Sequence, residues 1–253
     1  MAAASARSLL LVLSVLAAFT LTPQAQGSRG ESLPLIQPND NRVPAGRLSA
    51  ETLDLTITAR VGRWFPDGQR RPAPLLVAAF AGPDGVPSIP GPLIRVRAGT
   101  RIRLTVQNAL DGPLAGAPLI VHGLHPRPAA DDAPLRVEPG TSREAVFQAG
   151  EPGTYYYWAS TSDSATVATR GGADSQLTGA IVVDPASGPV PPDRIFVLGR
   201  MTLPAEGSGA TRQPDRFVVT VNGLSWPLTE RLGAAVDDTV HWRWINATNE
   251  HHP

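Results

Sequence analysis

The segment Arg101-Ile102-Arg103-Leu104-Thr105-Val106-Gln107-Asn108 decides the fold class of this chain. Aliphatic residues alternate in it with charged and polar residues, which is the period of a β-strand with one buried face and one wet face. Leu53–Thr58 shows the same alternation, and so does Ile94–Arg97. Continuing along the chain, the sequence predicts further strands at 143–148, 154–159, 177–183, 194–201, 216–221 and 239–246.

Turn-forming residues separate these predicted strands. The 253 residues include 24 Gly and 26 Pro, and short strands divided by such turns are typical of a β-sandwich or barrel. No long amphipathic helix is predicted. The hydrophobic fraction of 42% is sufficient for a packed core. Lys+Arg and Asp+Glu are balanced at 22 each, so we expect no nucleic acid partner.

The N-terminus has the pattern of an export signal. Arg7 precedes an apolar run at Leu9–Leu21, and small residues follow at Ala25 and Gly27. The run is shorter than the roughly 20 residues of a spanning helix, so we expect a cleaved signal peptide over 1–27 rather than a membrane anchor. We therefore expect an exported protein, periplasmic or extracellular, with no membrane span after signal removal. The chain has no Cys, so its fold must depend on core packing or on metal.

A partial internal repeat relates residues 100–109 to residues 238–247. Apolar residues fall at matching offsets in the two segments, and Asn-Ala ends both. A chance likeness between two strands is the alternative. If the repeat is real, a second domain has too few strands for a complete core, and we expect it to continue beyond residue 253. The predicted organisation is a signal peptide at 1–27, a flexible lead-in at 28–50, a first domain at 51–185, a linker at 186–193 and an incomplete second domain at 194–253.

Residues 93–183 resemble the first cupredoxin domain of the multicopper oxidases. The resemblance rests on the order and spacing of five segments, which are Gly91–Thr100, Val121–Leu124, Glu138–Ser142, Pro152–Tyr157 and Gln176–Val183. It implies an all-β fold, a Greek-key cupredoxin-like β-sandwich followed by the truncated start of a second cupredoxin domain. His252-Pro253 resembles the start of the family's His-Pro-x-His-x-His signature.

The resemblance also implies copper chemistry in the full-length protein. Members of the family oxidise a small-molecule or metal-ion reductant at a type 1 copper, and a trinuclear copper cluster then reduces dioxygen. A type 1 site needs a Cys thiolate together with imidazoles, and this chain has no Cys and five His. We therefore expect most of the copper to be bound outside these 253 residues.

The family's ligand positions are mostly altered here. The first His-Trp-His-Gly-Leu motif corresponds to Ile120-Val121-His122-Gly123-Leu124, which keeps only the second histidine. The second pair, His-Ser-His, corresponds to Trp158-Ala159-Ser160. By the resemblance, His122 and His252 are the candidate metal ligands, and no catalytic residue is predicted within the chain. The alternative for His122 is a hydrogen-bonded loop histidine that no longer binds metal.

The remaining histidines and the aromatic run have simpler interpretations. His125 is predicted to be an ordinary loop residue, and His241 a solvated one on the polar side of its strand. His251 and His252 are adjacent, so in an extended chain they point in opposite directions and cannot chelate one metal. The run Tyr155–Trp158 is interpreted as packing on both faces of a strand rather than as a ligand site.

Three functional hypotheses follow. The first is a multicopper oxidase-like oxidoreductase that couples oxidation of a reductant to dioxygen reduction, with this segment inactive alone. The second is a copper-free cupredoxin-fold module with a binding or structural role. The third is a secreted β-sandwich domain attached to another catalytic unit.

Overall fold

The computed structural model describes residues 33–68, 73–128, 133–190, 192–203 and 216–250, so the predicted signal peptide and His252 lie outside it. Among these residues, no helix is long and apolar enough to cross a membrane. The strands, in chain order, are β1 (Gln37–Pro38), β2 (Arg47–Ser49), β3 (Thr52–Trp64), β4 (Leu75–Ala81), β5 (Pro87–Ile89), β6 (Gly91–Arg97), β7 (Arg101–Asn108), β8 (Leu119–His122), β9 (Leu135–Val137), β10 (Ser142–Gln148), β11 (Gly153–Ser160), β12 (Thr178–Asp184), β13 (Asp193–Leu203), β14 (Arg216–Val221) and β15 (His241–Asn246).

Two sheets form a sandwich. The first sheet has the strand order β1-β5-β4-β3-β7-β10, with β2 paired to β3, and the second has the order β6-β12-β11-β8-β9. The chain passes repeatedly from one sheet to the other, as it does in Greek-key folds. Residues of both sheets share one apolar cluster, so the core lies between them. The predicted all-β sandwich is confirmed.

The alternating segments behave as the sequence predicts. Ile102, Leu104 and Val106 of β7 are fully buried, and the residues between them are exposed or half-buried. Each such aliphatic side chain contributes about 1.5–3 kcal/mol relative to an exposed one. At one end of the core the Tyr157 hydroxyl donates a 2.8 Å hydrogen bond to the Pro92 carbonyl, which satisfies a buried polar group.

A third sheet, ordered β14-β13-β15, packs on the outside of the sandwich. Strand β13 is long enough to contribute to two separate apolar clusters. Near its start, Ile195 and Val197 pack with Ala180 and Val182 on the outer face of the second sheet. Near its end, β13 joins a cluster on the outer face of the first sheet, which contains Trp64, Val77, Met201, Leu203 and Val218.

A network of four charged side chains ties the third sheet to the second. Arg95 on β6 donates to Asp184 (2.8 and 3.0 Å) and to Asp193 (2.7 and 3.1 Å). Arg243 on β15 donates a 2.6 Å hydrogen bond to Asp193 and a 2.9 Å hydrogen bond to Thr154. Hydrogen bonding to Asp184 raises the pKa of Arg95 above its ordinary value, against the effect of burial. The two arginines thus neutralise two carboxylates that have little access to solvent.

The outer face of the third sheet is apolar and exposed. Phe217 and Val219 on β14 are 55% and 41% exposed, and Trp242 and Trp244 on β15 are 50% and 54% exposed. The alternation in the sequence predicts that the side of β15 with Trp242 and Trp244 is buried, whereas in the structure this side faces solvent. The reason is that the opposite face of the strand, which carries Ile245, already packs against the sandwich. Both faces of the sheet are therefore apolar.

Candidate functional site

The four positions at which the family resemblance places copper ligands come together on the outer face of the second sheet. Ile120 and His122 lie on β8, and Trp158 and Ser160 lie on the neighbouring strand β11. The register pairs Trp158 with His122 and Ser160 with Ile120, so the four side chains form two cross-strand pairs. We call this group the outer patch. The residues between them point into the sandwich core instead, namely Val121 and Ala159.

Aromatic stacking organises the outer patch. The His122 ring lies parallel to the Trp158 ring, with centroids 4.0 Å apart and an interplanar angle of 6°. Trp158 is only 8% exposed, because the segment that follows β11 folds back over it. The guanidinium carbon of Arg170, in that segment, lies 4.9 Å from the centroid of the Trp158 ring, within the range of a cation–π interaction.

Arg170 is a buried cation. The residue is 5% exposed, and its Nη2 donates a 2.6 Å hydrogen bond to the Ser175 carbonyl. Its Nε and Nη1 have no hydrogen-bond partner in the part of the chain that the structure describes. Burial lowers the pKa of Arg170 to about 10, so the group still carries its charge at neutral pH. The outer patch therefore lies beside a fixed positive charge.

Tyr156, on the same face of the sheet, interacts electrostatically with Arg170. Tyr156 precedes Trp158 by two residues, so both side chains lie on the outer face of β11. Burial raises the pKa of Tyr156, while the positive charges of Arg170 and Arg127 act in the opposite direction. The surroundings of the outer patch are thus apolar, aromatic and cationic.

The donor set of the outer patch does not suit a copper ion. Ile120 has no lone pair to offer, the indole N–H of Trp158 is only a donor, and the Ser160 hydroxyl donates a 2.9 Å hydrogen bond to the Ser162 carbonyl. His122 is the one imidazole present, and it is stacked on an indole. No group of three His, Cys, Asp or Glu with metal-site geometry occurs among the described residues. The residues at these positions therefore do not fit copper, which binds through thiolates and imidazoles in this family.

The other predicted residues lie apart from the outer patch. His125 is in the loop after β8, with its Nδ1 3.0 Å from the Pro126 carbonyl oxygen, and it borders a small internal space near Tyr155. His241 is exposed at the start of β15. The predicted copper ligand His252 lies outside the described residues, so its role stays a prediction. The copper role of His122 also stays a prediction. The alternative was a loop histidine that binds no metal; the residue instead lies at the end of β8, where its stacking on Trp158 supports a role in packing.

Sequence reasoning missed Arg170. It lies in a loop rich in Ser, Thr, Gly and Asp, where no hydrophobic period marks one residue as buried. The contact between Arg170 and Trp158 forms only because the loop folds back on β11. No signal in the sequence identifies this contact in advance.

Comparison with known proteins agrees with this fold. Residues 86–187 match the family model described as multicopper oxidase. A probable nitrite reductase-hydroxylamine oxidoreductase fusion protein of Kuenenia stuttgartiensis is 30% identical over 225 residues, which are 82% of this chain and 24% of that protein. Among solved structures, the blue copper oxidase from Nitrosomonas europaea has a TM-score of 0.53 and 22% identity over 78% of this chain and 61% of its own. The copper nitrite reductase from the same organism has a TM-score of 0.55 and 19% identity, over 78% of this chain and 68% of its own.

The chain spans about a quarter of the length of the curated relative and about two thirds of these solved structures. The similarity to the solved structures concerns the fold, which is the same two-sheet sandwich. The family match covers the sandwich from β5 to β12, and it includes all four positions of the outer patch. Residues 86–187 therefore match the multicopper oxidase family model, and the sandwich that contains them has the cupredoxin-type fold.

Proposed function

We propose that this chain is the N-terminal part of an exported copper oxidoreductase of the multicopper oxidase type. In the full-length protein, copper would mediate oxidation of a small-molecule or metal-ion reductant, coupled to reduction of dioxygen. The observation that carries the proposal is the family match over residues 86–187, supported by the cross-strand arrangement of the four family ligand positions. The segment alone would be inactive, because a type 1 site needs a cysteine and the chain has none.

The copper would be held mainly by residues outside the sandwich. His252 is the ligand that the family resemblance suggests, as part of a motif that continues past Pro253. The first domain would then act as a scaffold that no longer holds copper. The stacking of His122 on Trp158 supports this division of roles, as does the lack of a set of converging imidazoles among the described residues of the first domain.

We further propose that residues 194–253 begin a second domain of the same kind. The pairing of the third sheet repeats that of the first, since β13 is antiparallel to β14 and parallel to β15, as β3 is to β4 and β7. The internal repeat aligns the sequence of β7 with that of β15. In this alignment the core residues Ile102, Leu104 and Val106 correspond to Val240, Trp242 and Trp244. The exposed aromatic face would then be the inner face of a second sandwich.

Copper content and electron acceptor test the proposed function. The protein is purified from its source organism, and copper is measured per chain. Oxygen uptake is followed with phenolic and metal-ion reductants, and nitrite consumption is followed without oxygen, because two relatives are named as nitrite reductases. Bound copper with oxygen uptake supports the proposal. Bound copper with nitrite consumption alone overturns the choice of dioxygen, and a copper-free protein overturns the oxidoreductase.

The alternative function is a copper-free cupredoxin-fold module of an exported protein, with a binding or structural role. The specific observation in its favour is the outer patch, where an indole, a hydroxyl and an isoleucine replace three imidazoles beside a buried cation. A protein that contains no copper, and gains none when supplied with Cu²⁺, supports this alternative.

A further inference from the structure

The guanidinium of Arg170 has an unusual setting for a buried cation. Among the described residues, no carboxylate forms an ion pair with it. The nearest acidic neighbour in its loop is Asp174, whose Oδ2 already accepts hydrogen bonds from the Thr161 amide (2.9 Å) and hydroxyl (3.0 Å). The charge is stabilised by the face of Trp158, by the Ser175 carbonyl and by a coulombic attraction to Asp174 without a direct ion pair.

The place of this cation in the fold is specific. The loop that carries it connects β11 to β12 and covers Trp158, one of the four positions of the outer patch. Trp158 in turn stacks on His122, the one imidazole that the patch keeps. The guanidinium, the indole and the imidazole thus form a contiguous cluster at the positions where the family resemblance places converging imidazoles.

We propose that Arg170 takes the structural place of a metal ion at the outer patch, holding the loop after β11 to the sheet and excluding copper from the first domain. A fixed charge in a poorly solvated setting repels a divalent cation much more strongly than it would in water. The same charge supplies the attraction to the aromatic face that keeps the loop closed. The inference concerns only this domain and does not depend on where the full-length protein holds copper.

The first experiment rebuilds the imidazoles with and without the cation. The double variant Ile120→His, Trp158→His gives the outer patch three imidazoles together with His122. Arg170 keeps its hydrogen bonds to the Ser175 and Leu177 carbonyls, and the Leu177 carbonyl is itself bonded to the Ala159 amide of β11. Cu²⁺ alone is titrated in the full chain by calorimetry and electron paramagnetic resonance. We expect at least 100-fold tighter binding of one Cu²⁺ when Arg170→Met is added to the double variant. Equal affinities with and without Arg170 would overturn the exclusion of copper.

A second measurement leaves the patch intact, in case the rebuilt variants do not fold. Arg170→Met, Arg170→Lys and Arg103→Met are compared in thermal unfolding, and limited proteolysis reports on opening of the loop. Arg103 is the matched control because it is an exposed arginine on the first sheet. We expect faster cleavage within 161–177 and a lower unfolding temperature for Arg170→Met, partial recovery with Lys, and no change for Arg103→Met. A loop as resistant in Arg170→Met as in the unaltered protein would refute the structural role.

The proposed oxidoreductase function and the inference about Arg170 can be refuted independently, because one is tested on the natural protein and the other on the outer-patch variants. Loss of the proposed oxidoreductase function would show as a copper-free natural protein, whatever the patch variants do. Failure of this inference would show as tight copper binding in the double variant that still contains Arg170. The two results are therefore distinguishable.

Discussion

Replacing Arg95 with Met should destabilise the protein by about 3–5 kcal/mol, the usual cost of breaking a buried ion pair by removing one partner. Arg95 makes two bidentate pairs, with side chains of Asp184 and Asp193 that are 8% and 3% exposed. Removing it leaves two buried carboxylates facing Arg243 alone, so the network changes from neutral to one net negative charge. For a chain of this size the loss corresponds to a fall in the unfolding midpoint of about 6–20 °C.

The assay is urea and thermal unfolding, with Arg103→Met as the control. Arg103 and Asp54 form an ion pair whose side chains are 49% and 47% exposed, and exposed pairs contribute about 0–1 kcal/mol. Both substitutions replace arginine with methionine, so they differ only in the burial of the ion pair that is broken. If Arg95→Met lowers the free energy of unfolding no more than Arg103→Met does, the reasoning is refuted.

The same network predicts a dependence on pH. Burial opposes ionisation of Asp193, but hydrogen bonds from Arg95 and Arg243 outweigh it, so the pKa of Asp193 lies below its ordinary value of 3.8. A lowered carboxyl pKa stabilises the folded state above the unfolded pKa, and this contribution disappears as the pH falls through the folded value. The stability difference between the unaltered protein and Arg95→Met should therefore narrow below about pH 4. A constant difference down to acid unfolding would contradict the assignment.

Three further substitutions, one of them with a matched control, test the packing. Gly179→Ala should lower stability by at least about 1–3 kcal/mol in denaturant unfolding, because its Cβ would lie 2.2 Å from Cζ of Tyr157, whereas Gly233→Ala, with no atom within 4 Å, should have little effect. Tyr157→Phe should cost about 1–3 kcal/mol, since the buried Pro92 carbonyl loses its donor, and a neutral result would show that the bond contributes nothing. In the 253-residue chain, Trp242→Ser should reduce binding of an apolar dye while changing the unfolding free energy by only about 0.5 kcal/mol, and a loss above 2 kcal/mol would show that the face is already packed.

The fold was largely predictable because its signal is local. Alternation at Leu53–Thr58 and Arg101–Asn108 is read directly as strands, and the structure places both in the first sheet with their aliphatic residues in the core. Whether a given face of a strand is exposed or buried depends on more distant parts of the chain. Trp242 and Trp244 have the same alternation as a core strand, yet they are exposed, because the other side of β15 is used against the sandwich.

The candidate site was predictable in its positions but not in its contents. The motifs identify Ile120, His122, Trp158 and Ser160 as family ligand positions, and their pairing across two strands follows once β8 and β11 are adjacent. Arg170 was not predictable, because its burial depends on how a polar loop folds over Trp158. Contacts between residues far from any periodic segment are set by tertiary packing, which spacing in the sequence does not encode.

One long strand has a mechanical consequence. Because β13 is attached near its beginning to one outer face of the sandwich and near its end to the other, it behaves as a brace fixed at two points. A body attached at a single point can swing, whereas one attached at two cannot rotate without breaking a cluster. Anything built on the third sheet would therefore keep a constant orientation toward the first domain.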